Sequence, residues 1–253
     1  MTLCVPIPCF FPGLPFETAV AKIAALGYRY VEIYDWKQLD LPSAAKALAD
    51  QGVTLLSMCT TEFCLTDPDR RGLWLDGIKE SCEAAAVLGV KKLITQVGAD
   101  TGAERKKQHD SIVDGLKAGA EILERAGVTV MIEPLNTKVN HPGYYLTASD
   151  EAFGIVRAVG SPNVKVVFDI YHQQISEGNI LPNITGNLGL IAHLHAAGHP
   201  GRNELQFGEN DYKNIFAAVD RAGYTGACGL EYNPLMDPEE SLKTAKALYA
   251  SAE

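Results

Sequence analysis

Residues 127–136 read Gly127-Val128-Thr129-Val130-Met131-Ile132-Glu133-Pro134-Leu135-Asn136. A glycine opens the stretch, an apolar run rich in β-branched residues fills it, a carboxylate closes it, and a turn-prone Pro-Leu-Asn follows. An apolar run this short and continuous suits a strand buried on both faces of a parallel sheet. The same grammar recurs three times: VKVVFD closes on Asp169, LIAHLH on His195 and ACGLE on Glu231. One carboxylate closing a strand is unremarkable. Metal-ligand side chains closing successive strands, with helical segments between them, point to one shared site at one end of a parallel sheet.

The rest of the chain repeats the punctuation around this stretch. Helical segments end in Gly27, Gly52, Gly89, Gly127, Gly160 and Gly223, and a strand follows each at once. Glycine suits the left-handed position just past a helix C-terminus, where a Cβ would be strained. Eight strands are expected, near 3–7, 30–33, 54–59, 92–95, 129–133, 164–169, 191–195 and 227–231. Apolar residues at three- and four-residue spacing predict helices over 16–26, 42–50, 74–88, 111–126, 149–159 and 212–222. A last helix starts with Asp237 as cap, Pro238 in the first position and Glu240 in the first turn. Strands alternating with helices imply a parallel sheet, and eight such units imply a closed (β/α)8 TIM barrel. An open doubly wound sheet is the competing arrangement.

Composition agrees. A chain of 253 residues, 47% hydrophobic and 21% charged, can bury one α/β barrel as a single domain spanning 1–253. The formal charge of −9 disfavours nucleic acid and anionic membrane as partners. The six cysteines form no CxxC pair and are expected to be reduced thiols, mostly buried. No secretory signal or membrane span is visible, so a cytoplasmic location is expected. A homo-oligomer is compatible with all of this.

Two Glu, one Asp and one His make a hard, mostly oxygen donor set. Glu133, Asp169, His195 and Glu231 are therefore expected to bind one divalent ion, Mn²⁺, Mg²⁺ or Co²⁺, at the C-terminal mouth of the barrel. Charged groups converging there need compensation, and a cation supplies it. His193 and His195 share one face of their strand; His193, one layer deeper, is expected to be a hydrogen-bonded core histidine. Gln96 and Glu32 are candidates for the pocket or for support of the ligands. Trp36, Phe10 and Phe11 can wall a pocket, although packing is the simpler reading. His141, in the loop after strand five, can reach the mouth, although a solvent-exposed loop histidine is the simpler expectation. Gly201-Arg202 and Gly208-Glu209 suggest a mobile loop able to cover a substrate.

The stretches MIEPLN, VVFDIYHQQ, HLHAAGHPGRNE with the following GENDY, and GLEYNP resemble the xylose isomerase-like barrels. Within them the hydroxypyruvate isomerase family is the nearest likeness; GYRYVEIY in the N-terminal half agrees more loosely. The resemblance implies the same four metal ligands, Glu133 and Glu231 as the paired catalytic glutamates, and substrate-binding roles for His172 and Arg202. It also carries a departure: hydroxypyruvate isomerases often have Gln where this chain has His195, and ketose epimerases have His. The expected activity is isomerisation of a small hydroxycarbonyl compound such as hydroxypyruvate or tartronate semialdehyde. A carboxylate removes a proton beside the carbonyl, a second returns it, and the cation stabilises the enediolate. A ketose 3-epimerase of the tagatose or psicose type is the alternative. A metal-dependent phosphodiesterase or endonuclease would need further histidines after strands three and four, where SMCTTEF and LITQVG have none. A non-catalytic sugar-binding barrel conflicts with the presence of both glutamates. Arg202 has a competing place as a surface residue paired with Glu204 or Glu209.

Overall fold

The eight expected strands close into one parallel barrel in chain order in the computed structural model, which describes residues 1–252. They are β1 (Thr2–Pro6), β2 (Tyr30–Glu32), β3 (Thr54–Cys59), β4 (Lys92–Thr95), β5 (Thr129–Ile132), β6 (Val164–Asp169), β7 (Ile191–Ala196) and β8 (Ala227–Leu230). β1 pairs with both β2 and β8, so no strand edge remains open and the doubly wound alternative falls.

All six helix-ending glycines have positive φ, between 59° and 88°. The last helix, Pro238–Ala250, starts as expected, with Asp237 accepting the N–H groups of Glu239 and Glu240. Two helices begin earlier than their periodicity suggests, at Arg71 and Arg105. The added residues, 71–73 and 105–110, mostly face solvent, so no buried apolar stripe marks them. Three short helices, Ile7–Phe10, Ile170–Ser176 and Ile180–Thr185, have no periodic signature at all, because four to seven residues cannot show one.

Gly115 and Gly119 lie one turn apart on the buried side of the helix Arg105–Ala126. A Cβ at Gly119 would come within 2.7 Å of the Trp74 ring, and one at Gly115 within 2.5 Å of Leu65. Gly115 lets the helix close on Leu65 and Gly119 lets it close on Trp74, which is fully buried and donates its indole N–H to Thr95 Oγ1 at 3.2 Å.

Most apolar residues form the layer between strands and helices, while Ile94, Met131 and Val167 make a small separate cluster with Cys59 and Ala192. These belong to the barrel interior, where side chains from alternating positions stack in layers. Near the N-terminal ends of the strands Lys92 reaches from β4 to the Ala192 carbonyl of β7 at 2.7 Å. Above it the interior turns polar: Ser57, Glu32 and His193, then Glu133, Asp169, His195 and Glu231 at the mouth.

Candidate active site

Glu133 and Glu231 each stand one residue beyond the last residue of their strand, while Asp169 ends β6 and pairs with His195 across the ladder. The four candidate ligand atoms lie within 4.8 Å of one another. His195 Nδ1 is 3.1 Å from Glu231 Oε2 and 3.6 Å from Glu133 Oε1.

Asp169 does two things. Its Oδ1 accepts the backbone N–H groups of Tyr171 (2.7 Å) and His172 (3.2 Å), capping the helix Ile170–Ser176. Its Oδ2 is buried with no hydrogen-bond partner, as is His195 Nδ1, whose approach to Glu231 is out of line for a hydrogen bond. Buried orphan atoms carry a penalty of about 1–3 kcal/mol each. A hard divalent ion among these oxygens and one imidazole nitrogen would satisfy both, so the residues fit a metal.

The electrostatics separate the two glutamates. Burial raises the Glu133 carboxyl, and the negative charge of Glu231 adds to this. Burial would raise Glu231 too, but the charges of His195 and Arg202 outweigh it and hold Glu231 well below the usual carboxylate range. Asp169 is pushed up to about 7, by burial first and by Glu231 second. Burial disfavours the His195 imidazolium, yet the charges of Glu231 and Glu32 hold it well above its usual value. Paired carboxyl groups driven apart in this way suit opposite proton roles.

His172 lies in the same pocket. Its Nδ1 accepts from the backbone N–H of Asn136 (3.3 Å) and sits 2.6 Å from the Asn136 side-chain nitrogen. With Nδ1 acting as acceptor, Nε2 carries the proton; it lies 3.5 Å from Asp169 Oδ2 without a hydrogen bond to it and so remains a free neutral donor. Burial, then the charge of Arg202, keeps this ring neutral.

Arg202 turns inward, contrary to its surface alternative. Nη2 is 2.8 Å from Glu231 Oε2 and 3.9 Å from Asp169 Oδ2, and Nε donates to the Glu231 carbonyl at 3.3 Å. Its guanidinium lies 5.3 Å from the Tyr171 ring centroid. Glu204 instead accepts the N–H groups of Leu235 and Met236, and Glu209 meets Gln174 and His199. The loop carrying Arg202 is folded on itself by backbone bonds, Gly198 N–H to Asn203 O (2.8 Å) and Glu209 N–H to His199 O (2.7 Å).

Glu133, His172, His195, Arg202 and Glu231 line a cavity of about 570 Å³ at the mouth, together with Gln96 and Trp36, while Asp169 lies behind its wall. Phe10 and Phe11 do not line it; Phe10 packs edge-on against Tyr232 at 4.9 Å. The expectation of a solvated His141 is corrected. The turn after Pro134 is tied back through His141 N–H to Asn136 O (3.0 Å), which sets the His141 ring 5.2 Å from that of His172, at the cavity wall. His193 is fully buried and hydrogen-bonded, as expected.

Three residues were not legible as site residues. Tyr34 donates to Glu231 Oε1 at 2.8 Å; strand alternation from Glu32 was the available signal. Tyr144 donates to the Glu133 carbonyl and accepts from Val97 N–H, linking the ends of β4 and β5. Asn136 sets the His172 tautomer. Contacts of these last two across loops leave no pattern in the chain. Among the described residues no helix is long and apolar enough to cross a membrane.

An eight-stranded barrel with a carboxylate-rich ligand cluster at its C-terminal mouth defines a class of metal-compatible TIM-barrel enzymes. A family profile described as xylose isomerase-like TIM barrel matches residues 20–250, and the chain belongs to that family. It is similar to the hydroxypyruvate isomerase of Escherichia coli, at 29% identity over 92% of this chain and 93% of the relative. It is 35% identical to the 2-oxo-tetronate isomerase of Cupriavidus necator over 66% of this chain and 64% of the relative. Its enzyme class is accordingly isomerase. A crystal structure named AP endonuclease, family 2, from Brucella melitensis superposes with a TM-score of 0.93 at 28% identity, covering 98% of this chain and 99% of that one.

Proposed function

We propose that this chain is a metal-dependent isomerase of small hydroxy-keto acids, such as hydroxypyruvate and tartronate semialdehyde. The observation that carries the reading is the pair Glu133 and Glu231. Both reach one ligand cluster, their environments push their protonation in opposite directions, and a guanidinium stands beside them.

The chemistry follows from these groups. One glutamate removes a proton from the carbon bearing the hydroxyl, giving an enediolate; the other returns a proton to the former carbonyl carbon. The hydroxyl proton passes in the same direction, from the hydroxyl oxygen to the former carbonyl oxygen. The neutral Nε2–H of His172 donates to a substrate oxygen. Arg202 offers a planar fork to the substrate carboxylate. Tyr34 holds Glu231 in place. A divalent ion held by Glu133, Asp169, His195 and Glu231 would supply Lewis-acid stabilisation of the developing negative charge. Mn²⁺, Mg²⁺ and Co²⁺ suit this donor set best.

A specific observation keeps a second reading open. His195 stands where hydroxypyruvate isomerases often carry Gln and ketose epimerases carry His, which favours a ketose 3-epimerase. An endonuclease reading has less behind it: the ends of β3 and β4 present Cys59, Thr60, Thr61 and Gln96 to the cavity, none a histidine.

The test is a panel of hydroxypyruvate, a 2-oxotetronate, tagatose and psicose in heavy water with added Mn²⁺, read by proton NMR. Loss of an α-proton signal with aldehyde–ketone interconversion of an acid supports the first reading. Inversion of a ketose supports the second. No exchange with any compound refutes both.

A further inference from the structure

We propose that Glu32 is a positioning residue for the metal centre: it fixes His195 as the Nε2–H tautomer, so that Nδ1 is the ligand atom. The inference rests on the metal-site reading above and extends it to a residue outside the ligand set.

Glu32 ends β2 inside the barrel and is 1% exposed. One of its oxygens, Oε2, gathers three partners: Ser57 Oγ at 2.5 Å, His193 Nε2 at 3.1 Å and His195 Nε2 at 3.2 Å. An ionised carboxylate only accepts, so all three partners donate to it. Each imidazole therefore carries its proton on Nε2. For His195 this leaves Nδ1, the nitrogen that is bare in the neutral ring, facing the gap between Glu133 and Glu231, 3.6 Å and 3.1 Å away.

His193 is not one of the four candidate ligands. Its ring stands edge-on to that of His195, with centroids 5.0 Å apart at 87°, and it clamps Glu32 from the deeper layer. Ser57, the cross-strand neighbour of Glu32, clamps it from the side.

Gly229 supplies an independent observation. It is the cross-strand neighbour of His195 on β8. A Cβ there would approach Glu32 Oε1 to 2.3 Å and His195 Cδ2 to 2.7 Å. The residue is glycine because the Glu32–His195 pair fills the volume a side chain would need. The sequence thus reserves space for this hydrogen bond.

The same three side chains, Glu32, His193 and His195, also lie close enough to hold a second cation. Three donors converging on one oxygen at hydrogen-bond distances favour the proton-held arrangement, and metal stoichiometry distinguishes the two. A carboxylate behind a metal-bound histidine sets its tautomer and raises its donor strength.

The experiment needs no variant in its first arm. Protein labelled with ¹⁵N-histidine is loaded with Zn²⁺ as a diamagnetic probe. The expected spectrum has His195 protonated on Nε2 and metal-shifted on Nδ1, at one Zn²⁺ per chain. In the second arm Mn²⁺ binding is measured for Glu32→Gln, which keeps shape but weakens the acceptor, and for Gly229→Ala, which changes no polar group. Both should bind Mn²⁺ about 10–100-fold more weakly, with the His195 Nε2–H resonance moved upfield.

Nε2 as the ligand atom in the wild-type protein overturns the proposal, as does Glu32→Gln with unchanged affinity and an unmoved resonance. Two Zn²⁺ per chain overturns it in favour of a second cation. Failure of the wild-type protein to bind either metal removes the functional reading as well, whereas normal binding through the wrong nitrogen removes only this inference.

Discussion

Replacing Asp169 with Asn separates the two tasks of that side chain. Asn keeps an oxygen that can accept the Tyr171 and His172 N–H groups, so the helix Ile170–Ser176 stays capped, and Asn and Asp are near-equal caps. What changes is Oδ2, the buried atom without a hydrogen bond. The Asp169 carboxyl titrates at about 7 rather than near 3.8, because burial and the charge of Glu231 both oppose its ionisation. A carboxyl raised on folding contributes stability that is complete below its unfolded value and lost as pH climbs through its folded value. Metal-free protein should therefore lose stability between pH 3.8 and about 7. A rise of that size sets an upper limit of about 4 kcal/mol on the loss, because each tenfold step is about 1.4 kcal/mol. Glu133 and Glu231 share the same repulsion, so the realised figure falls below this limit. Asp169→Asn removes the term. After chelation, urea unfolding at about pH 8 should show the variant more stable than wild type, with the gap closing toward about pH 5. Adding Mn²⁺ should reverse the order, since only wild type gains binding energy on the folded side. A metal-free variant less stable than wild type at the higher pH, or equal stabilisation of both proteins by Mn²⁺, would refute the reasoning.

Glu133→Gln and Glu231→Gln should each lower turnover by about two to four orders of magnitude, and deuterium wash-in should separate them. The variant that lost the abstracting base stops exchanging, while the one that lost the returning acid still exchanges without product. Arg202→Lys should raise KM for acid substrates with little change in unfolding midpoint, since a point charge cannot reproduce the fork; unchanged kinetics would place the guanidinium outside the substrate contact. Gly208→Ala should distort the loop that carries Arg202, because φ is +98° and a Cβ would meet the His199 carbonyl oxygen at 2.1 Å. The strain is of order 1–3 kcal/mol, to be read as a lowered midpoint together with a raised KM.

The barrel was legible because its signals are local. A continuous apolar run, a glycine before it and a ligand after it are contained within ten residues, as at 127–136. The mouth position of Glu133, Asp169, His195 and Glu231 follows from strand polarity alone once the strands are identified. What was not legible depends on closure. Glu32 meets His193 and His195 across 161 and 163 residues of chain. Tyr34 meets Glu231 across 197. No periodicity encodes such pairs, because they arise only when β1 joins β8 and the interior positions are forced into common layers. The direction of Arg202 and the placement of His141 were decided in the same way. Loop side chains have several partners of suitable charge, and only the packed backbone selects among them. Sequence thus determined which groups end the strands, through hydrophobic burial and turn chemistry. Tertiary structure decided which of those groups face one another, because register and barrel closure are properties of the whole sheet.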